Sequence, residues 1–332
     1  MEESLTINHK PQTPRIVFMG TPEFAVASLD ALVNAGYKIV AVITAPDKPA
    51  GRGMKMNESA VKKYTVEKGL KILQPQKLKD PNFTEELRSL KADLQIVVAF
   101  RMLPEMVWNM PPLGTINLHG SLLPQYRGAA PINWAVINGE KETGVTTFKL
   151  KHEIDTGDIL LQESFSIGEN ETAGEVHDKM KEIGAQLLVK TVKGLADGSL
   201  KEMPQSSVVN RESSETLSRL TPHDSQLKAA PKIHLNNWRI NWNESVEVVF
   251  NLVRGLSPVP GAFIILNEKM FKIYKAKKEI VFPAIPEGEY ETDGKTFLKF
   301  ACSNGYLHLT EVQMEGKKRM GIEEFLRGYR FN

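Results

Sequence analysis

The chain has 332 residues, of which 41% are hydrophobic and 25% charged, and its formal net charge is +2. This length suits two domains better than one, and the near-neutral charge excludes binding to a polyanion through a global basic field. The single cysteine, Cys302, excludes an intramolecular disulfide and a cysteine-based metal knot, and it favours a reducing, cytoplasmic compartment. The polar N-terminus lacks the apolar core of a signal peptide, and no run reaches the roughly 18 apolar residues of a membrane span, so no membrane partner is expected.

Strand and helix patterns alternate through the first part of the chain. Apolar runs at residues 15–19 and 37–43 are typical of buried strands, and the pattern between them predicts a helix. Further strands are predicted over 71–73, 93–99 and 144–149, and a further helix over 58–68. Asp80 is the predicted N-cap of a helix over 81–90, and Thr172-x-x-Glu175 is a predicted capping box that opens a helix over 172–195. This alternation predicts an α/β fold with a mostly parallel sheet and flanking helices. A G-x-G-x-x-G motif is missing, so a dinucleotide site is not supported.

The chain changes character after residue 203. Residues 204–222 are polar and without period, which is typical of a linker. After one predicted helix, short extended runs separated by turn residues follow, at 262–266, 271–274, 297–300, 306–309 and 311–313. Such runs predict a small β-barrel. We therefore expect a disordered tail at 1–13, an α/β domain at 14–203, a linker at 204–222 and a barrel domain at 223–332.

Two polar residues fall at the end of a short predicted strand, Asn117 and His119. Side chains two residues apart on a strand point to the same face, so an amide and an imidazole lie side by side. The carboxyl edge of an open α/β sheet is where such folds place their chemistry. Taken alone, the pair also suits a strand end whose polar groups bond only the local backbone.

A third candidate group is Asp155, in a later polar loop at residues 151–158. A carboxylate beside an imidazole orients it and favours the imidazolium. An amide donor beside an imidazolium could then hold an oxygen that becomes negative, as acyl transfer requires. These positions contain no suitable nucleophile, which favours direct attack by a substrate amine. Spacing alone does not establish that Asp155 reaches His119, and no compact His-rich spacing indicates a metal site.

Residues 44–57 form a long segment rich in proline, glycine and basic residues. Lys48, Arg52 and Lys55 lie within it, and Lys62 follows on its flank. A loop of this length is usually functional or disordered. It is therefore either a solvated surface loop or a basic finger that contacts the phosphates of a substrate.

The motif around the polar pair resembles that of the folate-dependent formyltransferase family. It reads Asn117-x-His119-x-Ser121-Leu-Leu-Pro124-x-x-Arg127-Gly-x-x-Pro131 and is followed by Asp155-Thr-Gly-Asp158. Similarity extends to Gly20-Thr-Pro-x-Phe24, to residues 46–53 and to Gly316-Lys-Lys-Arg-Met320, which covers nearly the whole chain. The resemblance implies a Rossmann-like formyltransferase domain followed by a smaller OB-like β-barrel. It also implies formyl transfer from 10-formyltetrahydrofolate to the α-amine of methionine on initiator tRNA.

The resemblance also implies roles for individual residues. The catalytic trio is Asn117, His119 and Asp155; the folate-contacting loop is Ser121, Leu122, Leu123 and Pro124; the tRNA-contacting basic loop holds Lys48, Arg52 and Lys55. A monomer without a metal is expected, and the lysines of the barrel are expected to track the tRNA backbone. His152 and Glu153 depart from the family pattern, and the sequence assigns them no role.

Three alternatives stay open at this point. The formyl acceptor could be another amine, on a purine-pathway ribonucleotide or a nucleotide sugar. Water could replace the amine, which would make the protein a formyltetrahydrofolate hydrolase and leave the basic loop without a purpose. A tRNA-binding protein without catalysis is the third, although the intact Asn117, His119 and Asp155 set argues against it.

Overall fold

The computed structural model describes residues 13–50, 55–208, 227–234 and 238–330. The chain divides into two compact units. The first comprises Met1–Gln125, Gly144–Ser164 and Lys179–Leu227, and the second comprises Tyr126–Thr143, Phe165–Asp178 and Lys228–Asn332. Within the predicted tail only Thr13 is described, and residues 209–222 of the predicted linker lie outside the described residues. The predicted domain boundaries stay predictions.

Strands and helices follow one another in chain order. The strands are β1 (Arg15–Gly20), β2 (Lys38–Ile43), β3 (Lys48–Ala50), β4 (Lys55–Asn57), β5 (Ile72–Leu73), β6 (Leu94–Val98), β7 (Thr115–His119), β8 (Arg127–Gly128), β9 (Glu142–Lys149), β10 (Ile159–Ser166), β11 (Ala229–Ala230), β12 (Ala262–Leu266), β13 (Lys269–Glu279), β14 (Tyr290–Thr292), β15 (Leu298–Cys302), β16 (Gly305–Met314) and β17 (Met320–Gly321). The helices are α1 (Glu23–Asn34), α2 (Ala60–Glu67), α3 (Pro81–Ser89), α4 (Glu105–Trp108), α5 (Pro131–Ile137), α6 (Ala173–Ala196), α7 (Val246–Gly255) and α8 (Ile322–Gly328).

A twisted sheet with the order β10-β9-β7-β6-β1-β2-β5 forms the centre of the first unit. The strands β5, β2, β1, β6 and β7 pair with one another in parallel, in that order. The next strand, β9, pairs antiparallel with β7. Every residue of β6 is buried, as is typical of a strand covered on both faces. On one face, Val17 and Met19 of β1 pack in a cluster with Phe83 and Leu87 of α3. The predicted mostly parallel sheet is confirmed.

The carboxyl ends of β1, β6 and β7 lie at one edge of this sheet, because the three strands are parallel neighbours. From β1 the chain adds β2 and β5 on one side and then returns to add β6 and β7 on the other. Open α/β sheets bind their ligands at the carboxyl edge beside such a reversal. Asn117 and His119 end β7 and therefore lie at this edge.

An antiparallel sheet with the order β12-β13-β16-β15-β14 organises the second unit, and β17 pairs with β16. Phe271 and Leu307 from this sheet share a core cluster with Val249 and Phe250 of α7. The predicted second, mainly β part is confirmed. Two runs predicted as separate strands form the single strand β16, because Thr310 between them is β-branched and continues the extended backbone.

Side-chain caps begin two helices of this chain where the sequence predicts them. At α3, Asp80 Oδ1 accepts from the backbone N–H of Asn82 at 2.9 Å and of Phe83 at 3.2 Å. At α6, the Thr172 N–H donates to Glu175 Oε2 at 2.8 Å, and the Glu175 N–H donates to Thr172 Oγ1 at 3.3 Å. The backbone bond from Thr172 holds the pKa of Glu175 below its usual range. Among the described residues, no helix has the length and apolar character needed to cross a membrane.

Candidate active site

Asn117 and His119 share one face of β7 because they are separated by a single residue of a strand. Across the antiparallel pairing with β9, Asn117 lies opposite Phe148 and His119 lies opposite Thr146. His119 is 7% exposed, and its ring meets that of Phe148 edge-on with the centroids 6.4 Å apart. Asn117 is half-buried. The strand end thus holds an amide and an imidazole together in a largely dry environment.

Asp155 lies in the loop between β9 and β10 and brings its carboxylate to His119. The distance between Asp155 Oδ2 and His119 Nδ1 is 3.9 Å, and the two side chains are 11% and 8% exposed. This separation is within reach of an ion pair but too long for a direct hydrogen bond. The structure therefore joins three side chains that the sequence places on two separate segments.

The backbone of the Asp155 loop is bent into an unusual shape. Asp155 has a φ of +55°, in the left-handed region that aspartate tolerates better than most residues. Two residues later, a Cβ on Gly157 would lie 1.6 Å from the carbonyl oxygen of Lys149, so only glycine fits there. The Lys149 N–H donates to the Asp158 carbonyl at 3.0 Å and closes the loop.

Gln205 also holds this loop, and the sequence did not identify it. Its Nε2 donates to the carbonyl oxygens of Asp155 and Gly157, each at 2.8 Å. Gln205 lies in the segment predicted as a linker, where a glutamine among polar residues carries no periodic signal. A side chain that bonds the backbone across 50 positions of sequence becomes visible only in the folded chain.

The loop after β7 is organised by the hydroxyl of Thr146 from β9. Thr146 Oγ1 donates to the carbonyl of Ser121 at 2.7 Å and accepts from the Leu123 N–H at 3.1 Å. Gln162 Nε2 donates to the Thr146 hydroxyl and to the Leu123 carbonyl, both at 2.9 Å. Buried polar groups are thereby satisfied, and the loop gains a fixed shape next to His119.

The four residues predicted to contact folate occupy this loop at different depths. Ser121 is 0% exposed, and its hydroxyl donates to the carbonyl of Gln125 at 2.6 Å. Leu123 is 1% exposed and packs with Phe148, whereas Pro124 is buried and Leu122 half-buried. Their contact with folate stays a prediction. In this structure Leu122 presents the most accessible side chain of the four to a ligand.

Neither Ser121 nor Cys302 is an activated nucleophile. The Ser121 hydroxyl is buried and engaged with the backbone. Cys302 lies in the second unit at 1% exposure, and burial raises the pKa of its thiol to about 12. An amide, an imidazole and a carboxylate can instead stabilise a developing oxyanion and move protons. This chemistry suits direct attack by an amine on an acyl carbon.

His152, which the sequence left without a role, contacts helix α4. Its ring meets that of Trp108 edge-on at 5.5 Å between centroids, and its Nε2 lies 3.4 Å from Glu105 Oε1. The His152 side chain is 73% exposed. These contacts give His152 a surface position beside α4.

The basic segment at residues 44–57 contains a β-hairpin, which differs from the unstructured loop that its composition predicts. β3 pairs antiparallel with β4, so that Lys48 lies opposite Asn57 and Ala50 opposite Lys55. Lys48 is exposed, and Arg52 lies outside the described residues. The hairpin was missed because its two strands are short and without apolar alternation, although glycines at 51 and 53 are typical of hairpin turns.

Lys62, on the flank of this hairpin, is neutralised by carboxylates. Its Nζ lies 2.7 Å from Glu58 Oε1 and also bonds Asp47. Asp47 further accepts from Gln74 Nε2 at 2.9 Å, and the bond from Lys62 holds the pKa of Asp47 below its usual range. These bonds hold the residue that precedes the hairpin, and they engage the basic side chain on its flank.

Four of the eight cations on β13 and at residues 317–319 of the second unit form ion pairs. Lys278 Nζ lies 2.6 Å from Glu247 and 3.1 Å from Glu169, and Lys275 lies 3.7 Å from Glu175. Lys318 pairs with Glu324 and Arg319 with Glu311. On β13 and at residues 317–319, the exposed lysines with no ion-pair partner among the described residues are Lys269, Lys277 and Lys317.

Solved structures share this fold at low sequence identity. A sugar 3N-formyl transferase, solved in the presence of dTDP and 5-N-formyl-THF, aligns with a TM-score of 0.63 at 20% identity, over 92% of this chain and all of its own. HypX from Aquifex aeolicus, in complex with tetrahydrofolic acid, aligns with a TM-score of 0.61 at 18% identity, over 97% of this chain and 49% of its own. These likenesses concern the fold alone.

Sequence relatives are much closer to this chain. The methionyl-tRNA formyltransferase of Parabacteroides distasonis is 51% identical over 97% of each chain. That of Flavobacterium johnsoniae is 45% identical over 96% of this chain and 97% of its own. The models for formyl transferase and for its C-terminal domain match residues 14–192 and 232–330. With both models matched and an amide–imidazole–carboxylate set at the sheet edge of the first, this chain belongs to the formyl transferase family.

Proposed function

We propose that this protein transfers the formyl group of 10-formyltetrahydrofolate to the α-amino group of methionine carried by initiator tRNA. The approach of Asp155 to His119, at 3.9 Å beside Asn117, is the observation that carries the chemistry. Family membership supports formyl transfer, and the names of full-length relatives support methionyl-tRNA as the acceptor.

The first step is attack of the methionine amine on the formyl carbon. The formyl oxygen gains negative charge as the carbon becomes tetrahedral. The Asn117 amide and a protonated His119 imidazole stabilise this oxygen by donating hydrogen bonds at the end of β7. Because both side chains lie on a rigid strand, they need little reorganisation as the charge develops.

Proton transfer completes the reaction. The attacking amine must lose a proton, and the N10 nitrogen that leaves must gain one. His119 donates towards N10, while Asp155 favours the imidazolium and removes the amine proton directly or through a water molecule. The distance between Asp155 Oδ2 and His119 Nδ1 is 3.9 Å. At this distance the same carboxylate can favour the imidazolium and accept the proton of the amine.

Folate is a substrate in this scheme, and it brings the formyl group to be transferred. We assign its binding to the loop of Ser121, Leu122, Leu123 and Pro124. That loop adjoins His119 and is held in one shape by Thr146. A preformed wall of this kind suits a flat ring system, which gains affinity from fixed apolar surface.

Two basic regions are assigned to tRNA. The hairpin with Lys48, Arg52 and Lys55 is assigned to the acceptor end, and the exposed lysines of the second unit to the backbone. Phosphate contacts supply much of the affinity of such proteins. We place the protein in the cytoplasm, because its proposed tRNA and folate substrates are found there. We expect it to act as a monomer.

The function is tested by incubating the protein with 10-formyltetrahydrofolate and charged methionyl-tRNA, initiator or elongator. Formylmethionine and free formate are measured in the same reaction. We expect formylmethionine on initiator tRNA, with little free formate. Formate released at an equal rate without tRNA would identify a hydrolase, and formylation of a nucleotide-sugar amine in preference to methionyl-tRNA would identify the other acceptor class.

A further inference from the structure

We propose that Gln205 is a positioning residue that holds Asp155 in place against His119. This inference rests on the proposed function, because it assigns Gln205 to the same proton-transfer step. Gln205 is distant in sequence from Asn117, His119 and Asp155, and its side-chain amide donates to backbone carbonyls.

The contact consists of two hydrogen bonds from one side-chain amide. Gln205 Nε2 donates to the carbonyl of Asp155 and to the carbonyl of Gly157, each at 2.8 Å. Both N–H groups of the amide are therefore used on one turn of backbone. Fixing two carbonyls so close in sequence fixes the peptide planes between them, and with them the direction in which the Asp155 side chain leaves the backbone.

Gln205 can serve as a fixed point because it is itself anchored. It is 5% exposed. Two residues earlier, Met203 forms an antiparallel bridge with Ile159, through N–H to carbonyl bonds of 2.8 and 2.9 Å. Met203 and Val208 also pack against the buried cluster of Leu123, Phe148 and Ile159. The glutamine thus projects from a segment that is tied to the start of β10.

The loop needs such an anchor on its inner side. Residues 151–154 before Asp155 are exposed to solvent, so this part of the loop has little packing to hold it. The left-handed φ of Asp155 and the tight fit of Gly157 make the turn conformationally demanding. Buried hydrogen bonds to the carbonyls of these two residues stabilise the turn against relaxation.

Precise placement matters because the contact that it serves is already long. Asp155 Oδ2 is 3.9 Å from His119 Nδ1, so a small outward shift removes the carboxylate from reach. Misplacement of a catalytic group by about 1 Å can cost on the order of 100-fold in rate. Loss of the Gln205 donors should therefore lower turnover while leaving both substrate-binding regions in place.

The matched variants are Gln205→Glu and Gln205→Leu. Glutamate keeps the size of the side chain but presents carboxylate oxygens to two carbonyl oxygens, and leucine removes the donors without adding charge. Ser206→Leu is the control, because it introduces the same leucine at the neighbouring exposed position. We expect both Gln205 variants to lower kcat by about 10- to 100-fold, with KM for either substrate changed less than about threefold.

A double-mutant cycle separates positioning from a merely structural role. In an Asp155→Asn background, Gln205→Glu should lower kcat by less than about twofold, because its effect passes through Asp155. An equal loss in both backgrounds would overturn the proposal. So would a wild-type kcat in both Gln205 variants, or losses confined to KM.

A second readout does not depend on activity. The NMR resonances of the His119 imidazole should move in Gln205→Glu and Gln205→Leu from their wild-type positions towards those of Asp155→Asn. Unchanged His119 resonances in both variants would overturn the proposal, whatever reaction the protein catalyses. Failure of the proposed function would appear separately, as wild-type protein that forms no formylmethionine.

Discussion

Polar groups are held in opposite ways at the end of β7 and along β13 and residues 317–319 of the second unit. At the end of β7, His119 is 7% exposed. Side-chain bonds to backbone hold the two loops beside it, with Thr146 bonded to the loop after β7 and Gln205 to the Asp155 loop. On β13 and at residues 317–319 of the second unit, several surface cations pair with other surface side chains, as Lys275 does with Glu175 and Lys318 with Glu324, whereas Lys277 has no ion-pair partner among the described residues. Buried hydrogen bonds hold the first region, whereas the second carries surface ion pairs that can exchange partners.

This difference suits the roles that we propose for the two regions. A buried polar group left without its partner costs about 1–3 kcal/mol, so the bonds around the proposed catalytic residues persist and preserve one geometry. A surface ion pair contributes only about 0–1 kcal/mol, so phosphates can replace carboxylates as partners at little cost. The chemistry that we propose at the formyl carbon requires the first property, and the tRNA recognition that we propose for the second unit uses the second.

The largest expected effect tests the fixed region. Asn117→Ala removes one of the two donors proposed for the oxyanion, and we expect kcat to fall by about 100- to 1000-fold with KM for both substrates nearly unchanged. Single-turnover formylation of methionyl-tRNA measures the chemical step. Asn34→Ala, an exposed amide of α1, is the control. A loss expressed in KM alone would remove Asn117 from the transition state.

Asp155→Asn should have the next largest effect. The amide keeps the size of the side chain but loses the charge that favours the imidazolium and the basic oxygen that takes a proton. We expect kcat to fall on the order of 100-fold or more, the range for a general acid–base partner. Near-normal formylation by this variant would contradict the assignment, provided that its melting temperature matches the wild type.

Local sequence signals predicted the parts of the fold that depend on neighbouring residues. The cap of Asp80 and the capping box of Thr172 and Glu175 act over three positions, and both are observed. The placement of Asn117 and His119 on one strand face follows from a period of two. These features need no knowledge of how distant segments meet.

Contacts between distant segments were beyond the reach of such signals. Gln205 bonds a backbone carbonyl 50 positions away, and no periodicity marks it. Lys62 bonds Asp47. The two residues lie on either side of a hairpin that the composition predicted as a loop, so their contact was not predicted. The approach of Asp155 to His119 came from family resemblance, because spacing could not establish it.

Arg52→Ala tests whether a basic side chain of the first unit contacts the tRNA. Loss of one charge-assisted contact, worth about 1.5–3 kcal/mol, should raise KM for tRNA by about 10-fold or more and leave folate binding unchanged. Lys79→Ala, which removes an exposed cation from another loop, should change neither. A defect in folate binding alone would show that Arg52 belongs to the other substrate.

The smallest effect comes from two adjacent lysines of β13 that differ in their partners. Lys277 is exposed and has no ion-pair partner among the described residues, whereas Lys278 lies between Glu247 and Glu169. A lysine that meets phosphate releases a counterion, so Lys277→Gln should reduce the slope of log affinity for tRNA against log salt by about 1. Lys278→Gln should change the slope less, because internal carboxylates already hold this cation. Affinity measured across a salt series distinguishes the two, and equal slopes for both variants would mean that phosphates displace the carboxylates from Lys278 as readily as they meet Lys277.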